Sequence, residues 1–192
     1  MKGMLKGVAA LALSTALFAS AAQAQTPVSF GLGGGVTLPL GDFGDAAKTG
    51  FHGTGLVEFQ PASLPVGIRL DGTYHRIGFS DLQEDFAGEG NFQMITGTLN
   101  GVYTFQTSPD SKFHPYIIAG AGVYNFKANF EDFDDDSETK FGINGGAGFN
   151  MGMGSASIFV EGRFHNVFTE GSSTNFVPIT LGVRFGGGGT AM

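Results

Sequence analysis

From residue 27 to residue 185 the chain repeatedly alternates apolar and small or polar positions in runs of roughly ten residues. The clearest run is Phe176-Val177-Pro178-Ile179-Thr180-Leu181-Gly182-Val183-Arg184-Phe185. Its odd positions are Val, Ile, Leu, Val and Phe, and its even positions from 178 to 184 are Pro, Thr, Gly and Arg. Successive side chains of an extended chain point to opposite faces, so this run has one oily face and one small or polar face. Ala156 to Phe168 behaves alike: Ala156, Ile158, Val160, Gly162 and Phe164 oppose Glu161, Arg163 and His165. In Val66 to His75, Val66, Ile68, Leu70 and Tyr74 oppose Arg69, Asp71, Thr73 and His75. In Phe51 to Gln60, Val57 and Phe59 oppose Thr54, Glu58 and Gln60.

Four further runs are softer. Val28 to Leu40 sets Val28, Phe30, Leu32, Val36, Leu38 and Leu40 against Ser29, three glycines, Thr37 and Pro39. Phe92 to Gln106 sets Ile95, Leu99, Tyr103 and Phe105 against Thr96, Thr98, Asn100 and Thr104. Phe141 to Met151 sets Phe141, Ile143, Ala147 and Phe149 against Gly142, Asn144, Gly146, Gly148 and Asn150. Phe113 to Lys127 is apolar on both faces until Asn125, which leaves its phase open. The pattern predicts eight strands, an even number suited to an all-β, antiparallel, up-and-down barrel.

Charge decides which face looks out. A soluble barrel would show water a richly charged exterior, yet the polar faces here are mainly Gly, Thr, Asn and Ser. Glu58, Arg69, Asp71, Glu161, Arg163 and Arg184 all fall on those faces. An arginine at the bilayer midplane costs about 2–4 kcal/mol, so a transmembrane barrel with the charges in its lumen satisfies every strand. The soluble, inside-out barrel is the disfavoured alternative.

The first 24 residues read differently. Lys2 and Lys6 precede a mostly apolar Val8–Phe18, and Ala21-Ala22-Gln23-Ala24 offers small residues around a cleavage point before Gln25. That apolar core is too short for a membrane-spanning helix, so 1–24 is expected to be a cleavable signal peptide. The barrel domain is then 25–185 and a Gly-rich tail follows at 186–192. Taking 24 residues with two lysines from the 192 leaves 168 residues, 8 basic and 17 acidic, with a formal charge of −9. No basic stripe is present to displace counterions from nucleic acid. With no cysteine, there is neither a disulfide framework nor a thiolate metal site.

Connections set the orientation. The links 60–65, 107–112 and 153–155 are short, whereas 42–50, 80–91, 130–140 and 169–175 are generally longer. Short turns belong in the periplasm and long loops outside. Aromatics near the strand ends (Phe51, Tyr74, Phe92, Phe113, Phe126, Phe141, Phe168, Phe176 and Phe185) are expected to form interfacial girdles.

Strands three and seven lie opposite one another in an eight-stranded ring. Arg69 and Asp71 are therefore expected to meet Glu161 and Arg163 across the lumen, with His75 and His165 toward the outer end. A proton path, gate or hydrolytic site is one reading. Ion pairs filling a lumen too narrow for water flow is the favoured one, since buried charges must be paired. Six acids lie between Glu131 and Glu138, but no EF-hand spacing accompanies them, so a solvated loop is expected, with weak divalent bridging as the alternative. Arg76 falls on the lipid-facing parity near the outer end, where it would contact a lipopolysaccharide phosphate or simply snorkel. The glycine runs 31–35 and 145–148 lack the Lys-Ser/Thr of a phosphate loop and are read as making room for larger lumen side chains.

In the leader, Val66-Gly67-Ile68-Arg69-Leu70-Asp71-Gly72, Pro115-Tyr116-Ile117-Ile118-Ala119-Gly120-Ala121-Gly122, Phe159-Val160-Glu161-Gly162-Arg163-Phe164 and the closing strand, the chain resembles small outer-membrane β-barrel proteins of the OmpA-transmembrane, OmpX and opacity type. The resemblance covers the whole mature chain. It implies residence in the bacterial outer membrane, contact with membrane lipids and lipopolysaccharide, and insertion by the outer-membrane assembly machinery. The family's terminal aromatic is usually the last residue, whereas here seven residues follow Phe185. Lipid A deacylases of this architecture use a His and a Ser two apart. His165 is instead followed by Asn166 and Val167, and Ser172 and Ser173 fall in the next loop. His52, His75 and His165 are candidates for a rim site of the palmitoyltransferase kind, without a clear serine partner. No catalytic, cofactor-binding or metal-ligating residue is assigned and no cofactor is expected. The expected role is structural or surface-interacting, in envelope integrity or in adhesion to a surface partner through the loops. A narrow pore and a lipid A-modifying enzyme are the alternatives.

Overall fold

The computed structural model describes residues 28–61, 64–78, 90–108, 110–130, 137–169 and 172–186. Eight strands form one closed antiparallel barrel in chain order. They are β1 (Val28–Leu40), β2 (Gly50–Phe59), β3 (Val66–Gly78), β4 (Gly90–Thr104), β5 (Phe113–Phe130), β6 (Ser137–Met153), β7 (Ala156–Thr169) and β8 (Ser172–Gly186). The seam pairs β1 with β8, from Ser29 opposite Gly186 to Leu40 opposite Asn175. Closure leaves no unpaired sheet edge, which hydrocarbon would not tolerate.

The alternation sorts the side chains as the sequence predicts. Leu32 is 70% exposed on the outer wall and Arg69 is 0% exposed within it. The open phase of β5 resolves with Tyr116, Ile118 and Tyr124 buried in the lumen and Ile117 and Val123 outside. Lumen glycines then make the expected room. A Cβ on Gly182 would lie 2.5 Å from Cζ of Phe159, and one on Gly148 would lie 2.6 Å from Cζ of Tyr116. Between β6 and β7 the link is only Gly154-Ser155, and Gly154 has φ 66°, the positive value that two-residue hairpins demand.

Three expectations need correction. First, 169–175 is not a loop: β7 runs to Thr169, β8 begins at Ser172, and Asn166 Nδ2 donates to Asn175 Oδ1 at 2.6 Å. β5 and β6 likewise outrun the predicted strands, because ladder pairing continues beyond the oily band. Second, 42–50 holds a short helix, α1 (Asp42–Ala46). Third, Phe176 is no girdle residue, being fully buried inside the barrel. Phe126 packs against the same internal cluster, and Phe92 meets Phe43 of α1 edge-on with ring centroids 5.8 Å apart. These rings share the inward parity of their strands and fill the lumen above its polar layers. The leader 1–24, most of the acidic run 131–138 and all of the tail 186–192 except Gly186 lie outside the described residues. Gly186 itself belongs to β8.

Candidate functional site

The lumen is stacked in layers. In its middle, four charges from two opposite strands close a ring. Asp71 Oδ1 accepts from Arg69 Nε at 2.9 Å and from Arg163 Nη2 at 3.0 Å. Glu161 Oε1 accepts from Arg69 Nη2 at 2.7 Å and pairs with Arg163 Nε at 2.8 Å. The remaining oxygens are held too: Asn100 Nδ2 donates to Asp71 Oδ2 at 2.7 Å, and Tyr116 donates to Glu161 Oε2 at 2.8 Å. Two guanidiniums and two carboxylates sum to zero. This neutrality, with every carboxylate oxygen bonded, is what makes charge tolerable so far from water. Nearer the end where β2 and β8 finish, Arg184 grips Glu58 through two bonds of 3.0 and 3.3 Å, and its guanidinium lies 6.0 Å from the Phe159 ring centroid.

Above the ring lies a layer of histidines and threonines. The Thr37 hydroxyl bridges His52 Nδ1 at 3.1 Å and His75 Nδ1 at 2.8 Å, and His52 Nε2 meets Thr180 Oγ1 at 2.9 Å. The Tyr124 hydroxyl is 2.8 Å from His165 Nδ1. One hydroxyl proton cannot serve two rings, so Thr37 donates to one imidazole and accepts from the other. Nε2 of His75 and Nε2 of His165 have no protein partner. Both histidines line a small polar cavity with Thr54, Thr96, Arg163 and Thr180. It has space for about one water.

An apolar cap closes this layer on the outer side. The Phe176 ring stacks on His165 with centroids 4.8 Å apart and planes 15° apart, and meets His75 edge-on at 5.5 Å. Met94, Tyr124 and Val167 pack with it, and Phe43 and Phe126 lean on the cluster. Toward the end where the 105–112 link joins β4 to β5, Val102, Tyr116 and Ile118 form a second apolar cluster.

The predicted cross-lumen meeting of Arg69 and Asp71 with Glu161 and Arg163 is present. His52, His75 and His165 are brought together, but beneath the cap rather than at an open rim. Ser173 does not join His165: it lies in β8 opposite Phe168 and accepts from Asn175 Nδ2 at 3.3 Å. Sequence reasoning missed Tyr116, Tyr124 and Phe176 as lumen residues. Their parity was the available signal for Phe176, which shares the even positions of Thr180 and Arg184. Among the described residues no group of three or more His, Cys, Asp or Glu is arranged to hold a metal.

A closed eight-stranded barrel with an oily exterior and a neutralised polar interior is the architecture of an outer-membrane protein. The family model described as "Outer membrane protein beta-barrel domain" matches residues 9–185. The chain belongs to that family. Its site is therefore the bacterial outer membrane. Solved structures of the same fold include Neisserial surface protein A, with a TM-score of 0.64 and 15% identity over 82% of this chain and 96% of that one. A major outer membrane protein of Thermus thermophilus gives 0.62 and 14% identity over 84% and 99%. Ail, the attachment invasion locus protein of Yersinia pestis, in complex with the heparin analogue sucrose octasulfate, gives 0.53 and 14% identity over 83% and 99%. A search of curated proteins finds no significant match.

Proposed function

We propose that this family member is a non-conducting, non-catalytic barrel that serves the outer membrane structurally and presents its outer connections for surface interaction. The observation that carries this reading is the filled lumen. Ions would have to pass Phe176 and its cluster, a cavity with space for about one water, and the ring of Arg69, Asp71, Glu161 and Arg163. An eight-stranded barrel leaves an interior just wide enough for side chains, and here they occupy it. Against catalysis, the hydroxyl–imidazole pairs of Thr37 and Thr180 are buried, and both nearby carboxylates are committed to arginines. A surface role also agrees with the attachment named for the Yersinia pestis relative in fold. Residues 1–24 serve as the cleaved leader in this reading, and those after Gly186 as a tail.

Planar-bilayer recording tests it. Reconstituted protein is expected to give no unitary current steps, and reproducible steps from the unmodified chain would overturn the reading in favour of a narrow pore. Mass spectra of lipid A from cells with and without the protein are expected to be identical. A new acylation state would assign it to the enzymes instead.

A further inference from the structure

Among the described residues the strands carry outward-facing charge at one level. Among the described strand residues on the outward-facing parity, the charged ones are Arg76 on β3 and Lys127 on β5. Both are cations, both sit within three residues of their strand's outer end, and the register places them on one rung, with Arg76 opposite Gln93 and Gln93 opposite Lys127. Strand spacing puts the two cationic backbones about 10 Å apart, flanking an amide donor. Two residues further out on the same face come Gly78 and Asn91; two residues inward come Tyr74, Ile95 and Asn125. The rung therefore lies where the polar collar gives way to the oily band.

Below it the wall is furrowed. Gly55, Gly72 and Gly97 follow one another on a single outward rung across β2, β3 and β4. A Cβ on Gly72 would meet nothing within 4 Å, and on Gly55 and Gly97 only Leu32 at 3.7 Å and Val123 at 3.8 Å. Leu70 and Leu99 border this furrow on its inner side and Tyr74 and Ile95 on its outer side.

We propose that Arg76, Gln93 and Lys127 form a binding site for the phosphate of a phosphorylated glycolipid of the outer leaflet, with one of its acyl chains lying along the glycine furrow. A guanidinium binds phosphate oxygens in a fork and an ammonium adds a point charge, and both act strongly next to a low-dielectric lipid phase. Gln93 Nε2, which donates one N–H to Asn91 Oδ1 at 3.4 Å, brings a second amide N–H between them. The site is independent of whether the lumen conducts, but it rests on the orientation that places the 41–49 and 79–89 connections outside.

Full-length protein in detergent is titrated with bis-phosphorylated lipid A and read by native mass spectrometry. The unmodified barrel is expected to retain one lipid, and the double variant Arg76→Gln/Lys127→Gln to lose at least tenfold in affinity while keeping its heat-modifiable gel shift. Gly72→Leu, which leaves the cations in place, is expected to weaken retention several-fold. Binding by the double variant within twofold of the parent overturns the proposal. So does equal retention of dephosphorylated lipid A by the unmodified barrel, an arm that needs no variant to fold. Equal retention of phosphatidylglycerol would also overturn it, by removing the glycolipid from the assignment. Current recordings on the same preparations leave these outcomes untouched, so the two readings fail separately.

Discussion

Nη2 of Arg69 lies 2.7 Å from Oε1 of Glu161, 92 residues further along the chain and on the opposite wall of the barrel. The bond ties β3 to β7 through the axis, where no backbone ladder reaches. Arg163→Ala would leave two carboxylates facing one guanidinium in a dry interior. The expected loss is about 3–5 kcal/mol, the usual cost of breaking a buried pair. Arg76→Ala, on the outer wall, should change stability by no more than about 0.5 kcal/mol. Urea titration of the folded gel band measures both, and equal midpoints would falsify the axial tie.

Phe176→Ala removes the ring that stacks on His165 and packs with Met94, Tyr124 and Val167. A loss of about 3–5 kcal/mol is expected from a truncated buried aromatic. Circular dichroism during thermal unfolding is the check. A change within error would mean that the outer cap carries no packing energy.

Two glycines on neighbouring strands should respond in opposite ways. At Gly182 a methyl would collide with the Phe159 ring and the Leu32 carbonyl, whereas at Gly162, facing outward, it would meet nothing within 4 Å. Gly182→Ala is expected to lower stability by about 1–3 kcal/mol or to block folding, by overpacking. Gly162→Ala should fold as the parent does. Comparable yields of refolded band from both variants would contradict the close approach at Gly182.

Sidedness itself is open to labelling. Leu181→Cys, 60% exposed on the lipid wall, should resist a membrane-impermeant maleimide in liposomes and react once detergent replaces the bilayer. Asp110→Cys, in the exposed link between β4 and β5, should react in liposomes whenever that end is accessible. Ready labelling of Leu181→Cys in the bilayer would turn the barrel inside out.

Much of this was legible beforehand because a two-residue period is unambiguous when one face must be oily. Val66 to His75 and Ala156 to Phe168 each declare their sides, and the opposition of strands three and seven in an eight-membered ring then places Arg69 beside Glu161. The reading faltered where both faces are apolar. Along Phe113 to Lys127 parity alone could not say that Tyr116 and Tyr124 turn inward, since that follows from the bonds they make to Glu161 and His165. It faltered again near the outer ends. An aromatic there suits a lipid interface or an interior cap equally well by composition; strand parity separates them, sending Phe176 inward with Thr180 and Arg184 and Phe168 outward with Phe164. Strand ends were short by several residues in β5 and β6 because backbone pairing carries on in water, where composition no longer alternates. The helix α1 left little trace in a five-residue stretch.

The seam between β1 and β8 has a consequence for biogenesis. β1 can pair with β2 early, but its second edge is covered only when the last fifteen residues of the barrel exist, and those residues also bring the ring that shuts the outer vestibule. A polypeptide halted before Ser172 would thus have two raw edges and an unstoppered bore at once. Quality control needs to inspect just one event, the arrival of the final hairpin arm, to know that the whole cylinder is sound.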